Sequence, residues 1–138
     1  MFGQSSKDVK RIYEREIPEG SSLLEKASRQ AKRIGYVRTL LGRRCRFPQN
    51  YRLHKALNGV IQGGAADIMK RKIVELHRER KYTQFLMRFP VHDEINGDIP
   101  DEYHAKRVEE ILDTQTTPTK VPILWGADTG TTWYDCAA

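Results

Sequence analysis

Three titratable residues stand in a row in "PVHDEINGDIP" (residues 90–100): His92, Asp93 and Glu94, directly after a run of bulky apolar residues. Packing alone gives a chain no reason to place them there. On a strand, His92 and Glu94 share one face and Asp93 takes the other. At a tight turn between strands, Asp93 instead projects while its neighbours flank it. A turn aspartate is a good ligand for a hard cation such as Mg²⁺, which takes oxygen donors. The same carboxylates also suit a plain solvated turn, and these residues alone leave both readings open.

His54, Asn58 and Gln62 form a second set. Steps of four put all three on one side of a helix, spread over about 80° at 3.6 residues per turn. Asn and Gln both donate and accept, which suits base edges in a minor groove, where the common feature is an acceptor. Polar residues flanking a buried helix face are equally ordinary. A third set is basic: Arg43 and Arg44, with Arg38, Arg46 and Arg52 nearby. The planar, always-charged guanidinium fork suits phosphate, and a solvated basic surface is the alternative.

The elements that must position these residues follow from the pattern. Residues 5–16 are weakly amphipathic, and "PEG" at 18–20 breaks them. A helix is expected after it, opened by the capping-box spacing of Ser22 and Glu25 and stopped at Gly35. "YVRTLLGRRCRF" predicts a short hairpin with a basic tip at Gly42–Arg44. Residues 52–80 predict the longest helix, with Leu57, Ile61, Ala65 and Ile68 as its apolar face. Gly63 and Gly64 interrupt it at about 1 kcal/mol each relative to Ala, which implies close approach of another backbone or a ligand. Two β-like runs around the carboxylates come next, then a helix over 101–113, acidic at its start. "VPILW" predicts a short strand, and "GADTGTTWYDCAA" an irregular tail.

At 138 residues and 38% apolar composition, the chain is one domain at most, or a piece of one. It has no membrane-length apolar run and no leader-like start, which predicts a cytoplasmic protein. Cys45 and Cys136 fit no metal spacing and are expected to be free thiols. The net charge of +6 is segregated. Residues 1–55 hold 14 Lys/Arg against 5 Asp/Glu (+9), residues 56–90 hold 7 against 3 (+4), and residues 91–138 hold 3 against 10 (−7). A basic front and an acidic back imply a polyanion on one side and a cation near the carboxylates, or surface charge that merely segregated.

In this order, the segments resemble the C-terminal end of a family A (polymerase I-like) DNA polymerase, of phage type. "GYVRTLLGRRCRFP" resembles the segment before that family's long palm helix. "ALNGVIQGGAADIMK" is similar to the helix's "N-x-x-x-Q-G-x-A-A-D" run, "VHDE" to the third polymerase motif, and "VP…GTTW" to the C-terminal strand and ending. The resemblance covers residues 11–138. It implies that Asp93 is the metal-binding catalytic residue, with Mg²⁺ as cofactor, that Glu94 supports the site, and that His92 lies near the primer 3′ end. It further implies that Asn58 and Gln62 touch primer–template DNA in the minor groove. His54 falls where many relatives carry an Arg and some phage-type relatives a His; His54, Arg43 and Arg44 are expected DNA-binding residues beside them.

The family's other catalytic Asp and its nucleotide-binding helix have no counterpart in these residues. A second polymerase chain is therefore the expected partner, beside primer–template DNA and dNTP, with the host cytoplasm as the location if the gene is a phage's. A non-catalytic basic DNA-binding module or an inactive remnant of a split polymerase is the alternative. An independent nuclease is disfavoured, because one carboxylate pair cannot hold two metals. Pro90 and Asn96-Gly97 depart from the family signature and bear on the hairpin's geometry. The expected fold is α+β: a partial palm, with an antiparallel hairpin packed on a long helix and a helical N-terminal extension. Residues 1–50 are the basic helix and hairpin, and residues 51–138 the palm segment.

Overall fold

In the computed structural model, residues 11–12, 15–48, 52–117 and 119–136 are described. The chain divides into two compact units, one running to Asp67 and the other beginning at Ile68. That division falls inside the longest helix.

In the first unit, helix α1 spans Pro18–Ile34. It begins at Pro18 rather than at the Ser22–Glu25 box, because a proline's fixed φ and missing N–H suit the first helical turn. Ile17, the cap residue, gives no side-chain hydrogen bond. Gly35 ends the helix at φ 74°, as expected, its N–H donating to the Ala31 carbonyl. Strands β1 (Tyr36–Arg38) and β2 (Arg44–Arg46) pair antiparallel, Tyr36 with Arg46 and Arg38 with Arg44. The hairpin tip is therefore Thr39–Arg43, and Arg44 belongs to β2.

After a 3₁₀ turn at Leu53–Lys55, helix α2 spans Ala56–Arg78. His54 thus sits on the 3₁₀ turn before the helix rather than on the helix itself. The core of this unit is Ala31, Val37 and Ala56, with Ala27, Cys45, Phe47, Leu53 and Val60 packed on it. The apolar face expected on α2 is not the buried one: Ile61 is 61% exposed and Ala65 is exposed. Burial instead follows Ala56, Val60, Gly64 and Asp67.

In the second unit, the short helix α3 (Arg80–Thr83) precedes strands β3 (Leu86–Val91) and β4 (Glu94–Asp98). They pair antiparallel with a bulge between Met87 and Phe89. Helix α4 (Glu102–Asp113) is capped by the Asp101 carboxylate, which accepts from the His104 N–H at 2.9 Å. Leu76, Val108 and Leu112 form the core, joined by Phe85, Ile95, Ile99, Ile111 and Trp125. The β3–β4 hairpin and the C-terminal half of α2 thus share one core, as expected for a partial palm.

Two expectations for the C-terminal region change. Residues 121–125 form no strand. The Gln115 side-chain amide brackets Ile123 instead, donating to its carbonyl at 2.8 Å and accepting from its N–H at 3.1 Å. One amide side chain satisfies what a neighbouring strand would have. The tail is not wholly irregular, since Trp133–Cys136 form a helical turn, α5, with the Asp135 carboxylate accepting from the Thr132 N–H. Both cysteines are free. Among the described residues, no helix is long and apolar enough to cross a membrane.

Candidate catalytic hairpin and nucleic-acid surface

His92 and Asp93 are the two turn residues of the β3–β4 hairpin, closed by the Val91–Glu94 pair. The tight-turn arrangement is realised, not the strand alternation. His92 takes φ 51°, a left-handed conformation that costs a side-chain-bearing residue about 1–2 kcal/mol. Such strain collects at sites where a side chain must be aimed. His92, Asp93 and Glu94 are all exposed. Among the described residues, no hydrogen bond or ion pair engages either carboxylate. Asp98 differs: Arg88, at the bulge, donates to its carboxylate through Nε at 2.8 Å.

Of the departures from the signature, Pro90 and Gly97 are accommodated, whereas the Asn96 side-chain Nδ2 is buried with no hydrogen-bond partner among the described residues. Val91–Glu94 is the hydrogen-bonded pair next to the turn, so Pro90–Ile95 falls at a non-hydrogen-bonded position, where proline's missing N–H breaks no rung. A Cβ on Gly97 would lie 2.6 Å from the Leu86 carbonyl oxygen and 2.6 Å from the Phe85 ring. Glycine there lets the Phe85 ring close on the strand.

The Asp93 and Glu94 carboxylates suit Mg²⁺ in type, being hard oxygen donors with open lone pairs. They fall short in number. Among the described residues, no group of three or more His, Cys, Asp or Glu could hold a metal.

In the first unit, Asn58 and Gln62 project from the first turns of α2, both exposed, with Asn58 Nδ2 donating to Gln62 Oε1 at 3.4 Å. His54 is exposed one turn earlier. The close approach implied by the glycines is made by the β1–β2 hairpin. A Cβ on Gly63 would meet Thr39 Cγ2 at 2.8 Å and Arg43 Nη2 at 3.0 Å, whereas one on Gly64 would find only Leu40, at 3.8 Å.

Arg43 was expected on phosphate; its guanidinium is largely engaged within the protein. Nε donates to Asp67 Oδ1 at 2.6 Å and Nη2 to the Gly63 carbonyl at 2.9 Å. Hydrogen bonding to Asp67 raises the Arg43 pKa above its ordinary value. Thr39 Oγ1 donates to the other Asp67 oxygen at 2.5 Å. Asp67 closes the "N-x-x-x-Q-G-x-A-A-D" run, but the motif gave it no role. Its signal was an acid placed four residues after Gly63, on the glycine-lined side of the helix. Arg44 stays exposed, its guanidinium carbon 4.8 Å from the Tyr36 ring centre.

These two units, each with a small antiparallel hairpin beside helices, have the fold of part of a nucleic-acid polymerase domain. The chain is similar to the POL domain of Pol1 from M. smegmatis, solved in complex with DNA primer-template and dNTP. That match has a TM-score of 0.72 and 28% identity and covers 83% of this chain and 23% of that one. Residues 3–135 match the model of DNA polymerase family A. The chain belongs to that family.

It is 33% identical over 126 residues to a DNA-directed DNA polymerase of Pseudomonas phage M6, and 32% over 133 residues to DNA polymerase DpoZ of Salmonella phage PMBT28. The matches cover 88% and 90% of this chain and 18% and 21% of those proteins. DNA polymerase I of Bacillus caldotenax is 31% identical over 146 residues, covering 96% of this chain and 16% of that protein. The chain thus spans about a fifth or less of the length of these relatives.

Proposed function

We propose that these 138 residues are the C-terminal palm segment of a DNA-directed DNA polymerase. In this reading Asp93 is the catalytic metal ligand, Glu94 supports it, and His92 stands by the primer 3′ end. The supporting observation is the hairpin tip: an unpaired carboxylate at a turn whose preceding residue is held left-handed. Asp93 would hold Mg²⁺. A bound pair of such ions stabilises the charge that develops as the phosphoryl group is transferred. Two ions need more carboxylates than Asp93 and Glu94, so the other catalytic Asp and the nucleotide-binding helix are supplied from outside these residues.

His54, Asn58 and Gln62 would lie along the minor groove, donating to base acceptors and sparing sequence preference. Arg44 would face the duplex backbone, while Arg43, tied to Asp67, holds the hairpin tip in place beside it. The working complex would carry primer–template DNA, dNTP and Mg²⁺. Mixing this chain with an upstream family A segment and assaying template-dependent extension tests the reading. The mixture extends, and this chain alone does not; extension by this chain alone, or none from the mixture, counts against it.

A non-catalytic duplex-binding module is the second reading. One observation favours it: the basic hairpin, Asn58 and Gln62 all belong to the unit ending at Asp67 and need nothing from the carboxylate hairpin. Duplex binding that survives every change at residues 92–94, with no extension under any complementation, would support it.

A further inference from the structure

Strand alternation turns Val37, 2% exposed, and Cys45 toward the core of the first unit. The opposite face of the hairpin then carries Tyr36, Arg38, Arg44 and Arg46. Three cations share this face, and Arg38 stands directly across from Arg44. Like charges placed directly opposite destabilise a strand pair. Among the described residues, no ion pair engages any of the three. The Asp67 carboxylate is held by Arg43 and Thr39.

The opposed pair is nevertheless ordered. The Arg44 guanidinium lies 4.8 Å and that of Arg38 5.6 Å from the Tyr36 ring centre, within the range of cation–π attraction. Arg38 Nη1 also donates to the Gly42 carbonyl at 3.2 Å. Two guanidiniums are thus steadied on one half-buried ring, with no anion of the described residues between them. A bound anion would relieve their repulsion and accept from both planar forks. The +9 charge of residues 1–55 favours a polyanion over an isolated acid.

We infer that Arg38 and Arg44 clamp a single phosphodiester of duplex DNA, with Tyr36 as the positioning residue that holds the pair together. This rests on the duplex-contact reading above and sharpens it: the phosphate contact is made by Arg38 and Arg44, while Arg43 supports the tip.

The test is a duplex titration of the 138-residue chain across a salt series, with circular dichroism confirming that each variant folds. Two cations on one phosphate give a non-additive signature. Arg38→Ala or Arg44→Ala weakens binding by about fivefold to tenfold with little change in salt slope, because the remaining guanidinium still neutralises the phosphate. The double variant lowers the log–log slope by about 0.9, the value for one phosphate. Tyr36→Phe binds within about twofold of the parent, and Tyr36→Leu weakens binding by about threefold. Where Tyr36→Leu does not fold, Tyr36→Phe and the arginine variants decide.

A fall of about 0.9 for each single variant and about 1.8 for the double would mean two independent contacts and overturn the clamp. Unchanged binding in every variant would overturn it too. Inorganic phosphate or dNTP bound as tightly as duplex, with the same arginine dependence, would overturn the assignment to the backbone. A parent chain with no salt-dependent duplex binding overturns the clamp and the duplex-contact reading together. A parent that binds while its variants are unaffected overturns the clamp alone.

Discussion

Thr39 and Asp67 lie 28 residues apart in the chain and meet in a buried hydrogen bond of 2.5 Å, the threonine hydroxyl donating to Oδ2. That bond leaves Thr39 little freedom to rotate, and Gly63 is where the constraint is felt. A Cβ there would lie 2.8 Å from Thr39 Cγ2.

Gly63→Ala and Gly64→Ala should therefore have opposite signs, although the residues are adjacent in one helix. Alanine gains about 1 kcal/mol over glycine in a helix interior, while overpacking a fixed neighbour costs about 1–3 kcal/mol. At Gly63 the clash prevails, and the net loss is about 1 kcal/mol. At Gly64 the nearest atom is Leu40 Cβ at 3.8 Å, an ordinary contact, and stability rises by about 0.5 kcal/mol. Urea midpoints of the two variants check both signs.

The glycines also show where sequence reading stops. Helix α2, both hairpins, the Gly35 stop and the turn placement of Asp93 were legible, because each rests on local backbone preferences. The buried face of α2 was not. Periodicity scores apolar side chains and chose Ile61 and Ala65, whereas the buried positions include a glycine and an acid, Gly64 and Asp67, that such scoring passes by. The role of Asp67 was unreadable for a related reason: its partners, Thr39 and Arg43, are set by hairpin register rather than by spacing. The missing strand at 121–125 has a long-range cause as well, since Gln115 supplies its hydrogen bonds.

Glu75 makes the second unit acid-sensitive. Burial alone would raise its pKa. Hydrogen bonds from Thr116 and Lys72, the Lys72 charge and a hydrogen bond from Arg71 outweigh that and bring it below the ordinary 4.5. Lys72, 4% exposed, also donates to the Thr114 carbonyl at 2.6 Å. A carboxylate with a lowered folded-state pKa contributes stability fully above its unfolded-state pKa and loses it as pH falls through the folded value. Glu75→Gln should therefore lower the urea midpoint at pH 7, and the gap to the parent should close as pH drops below 4.5. A gap that stays constant to acid pH would show that the Glu75 charge contributes nothing.

His92→Gly separates stability from function at the turn. Glycine relieves a left-handed strain of about 1–2 kcal/mol but makes the unfolded chain more flexible, by about 0.4–1 kcal/mol. The hairpin should be at least as stable as the parent by thermal melting, while extension by the complemented enzyme falls. Unchanged extension would show that the imidazole has no part near the primer end.

Asn58→Ala and Gln62→Ala should leave the fold intact, since both side chains are exposed. Each should weaken primer–template binding by about three- to tenfold, as expected for one or two lost hydrogen bonds. Binding assays on duplexes of different sequence should show the same loss, because the minor-groove acceptors are common to all base pairs.

The most direct test of the central claim is Asp93→Asn in the complemented enzyme, with primer–template, dNTP and Mg²⁺ present. Asparagine matches the shape of the turn residue but is a far poorer Mg²⁺ ligand than a carboxylate. Extension should fall by a factor on the order of a thousand or more, with duplex binding by the 138-residue chain unchanged or slightly tighter, because one negative charge is gone. Extension close to that of the parent would mean that Asp93 is an ordinary turn residue and that the hairpin holds no catalytic metal.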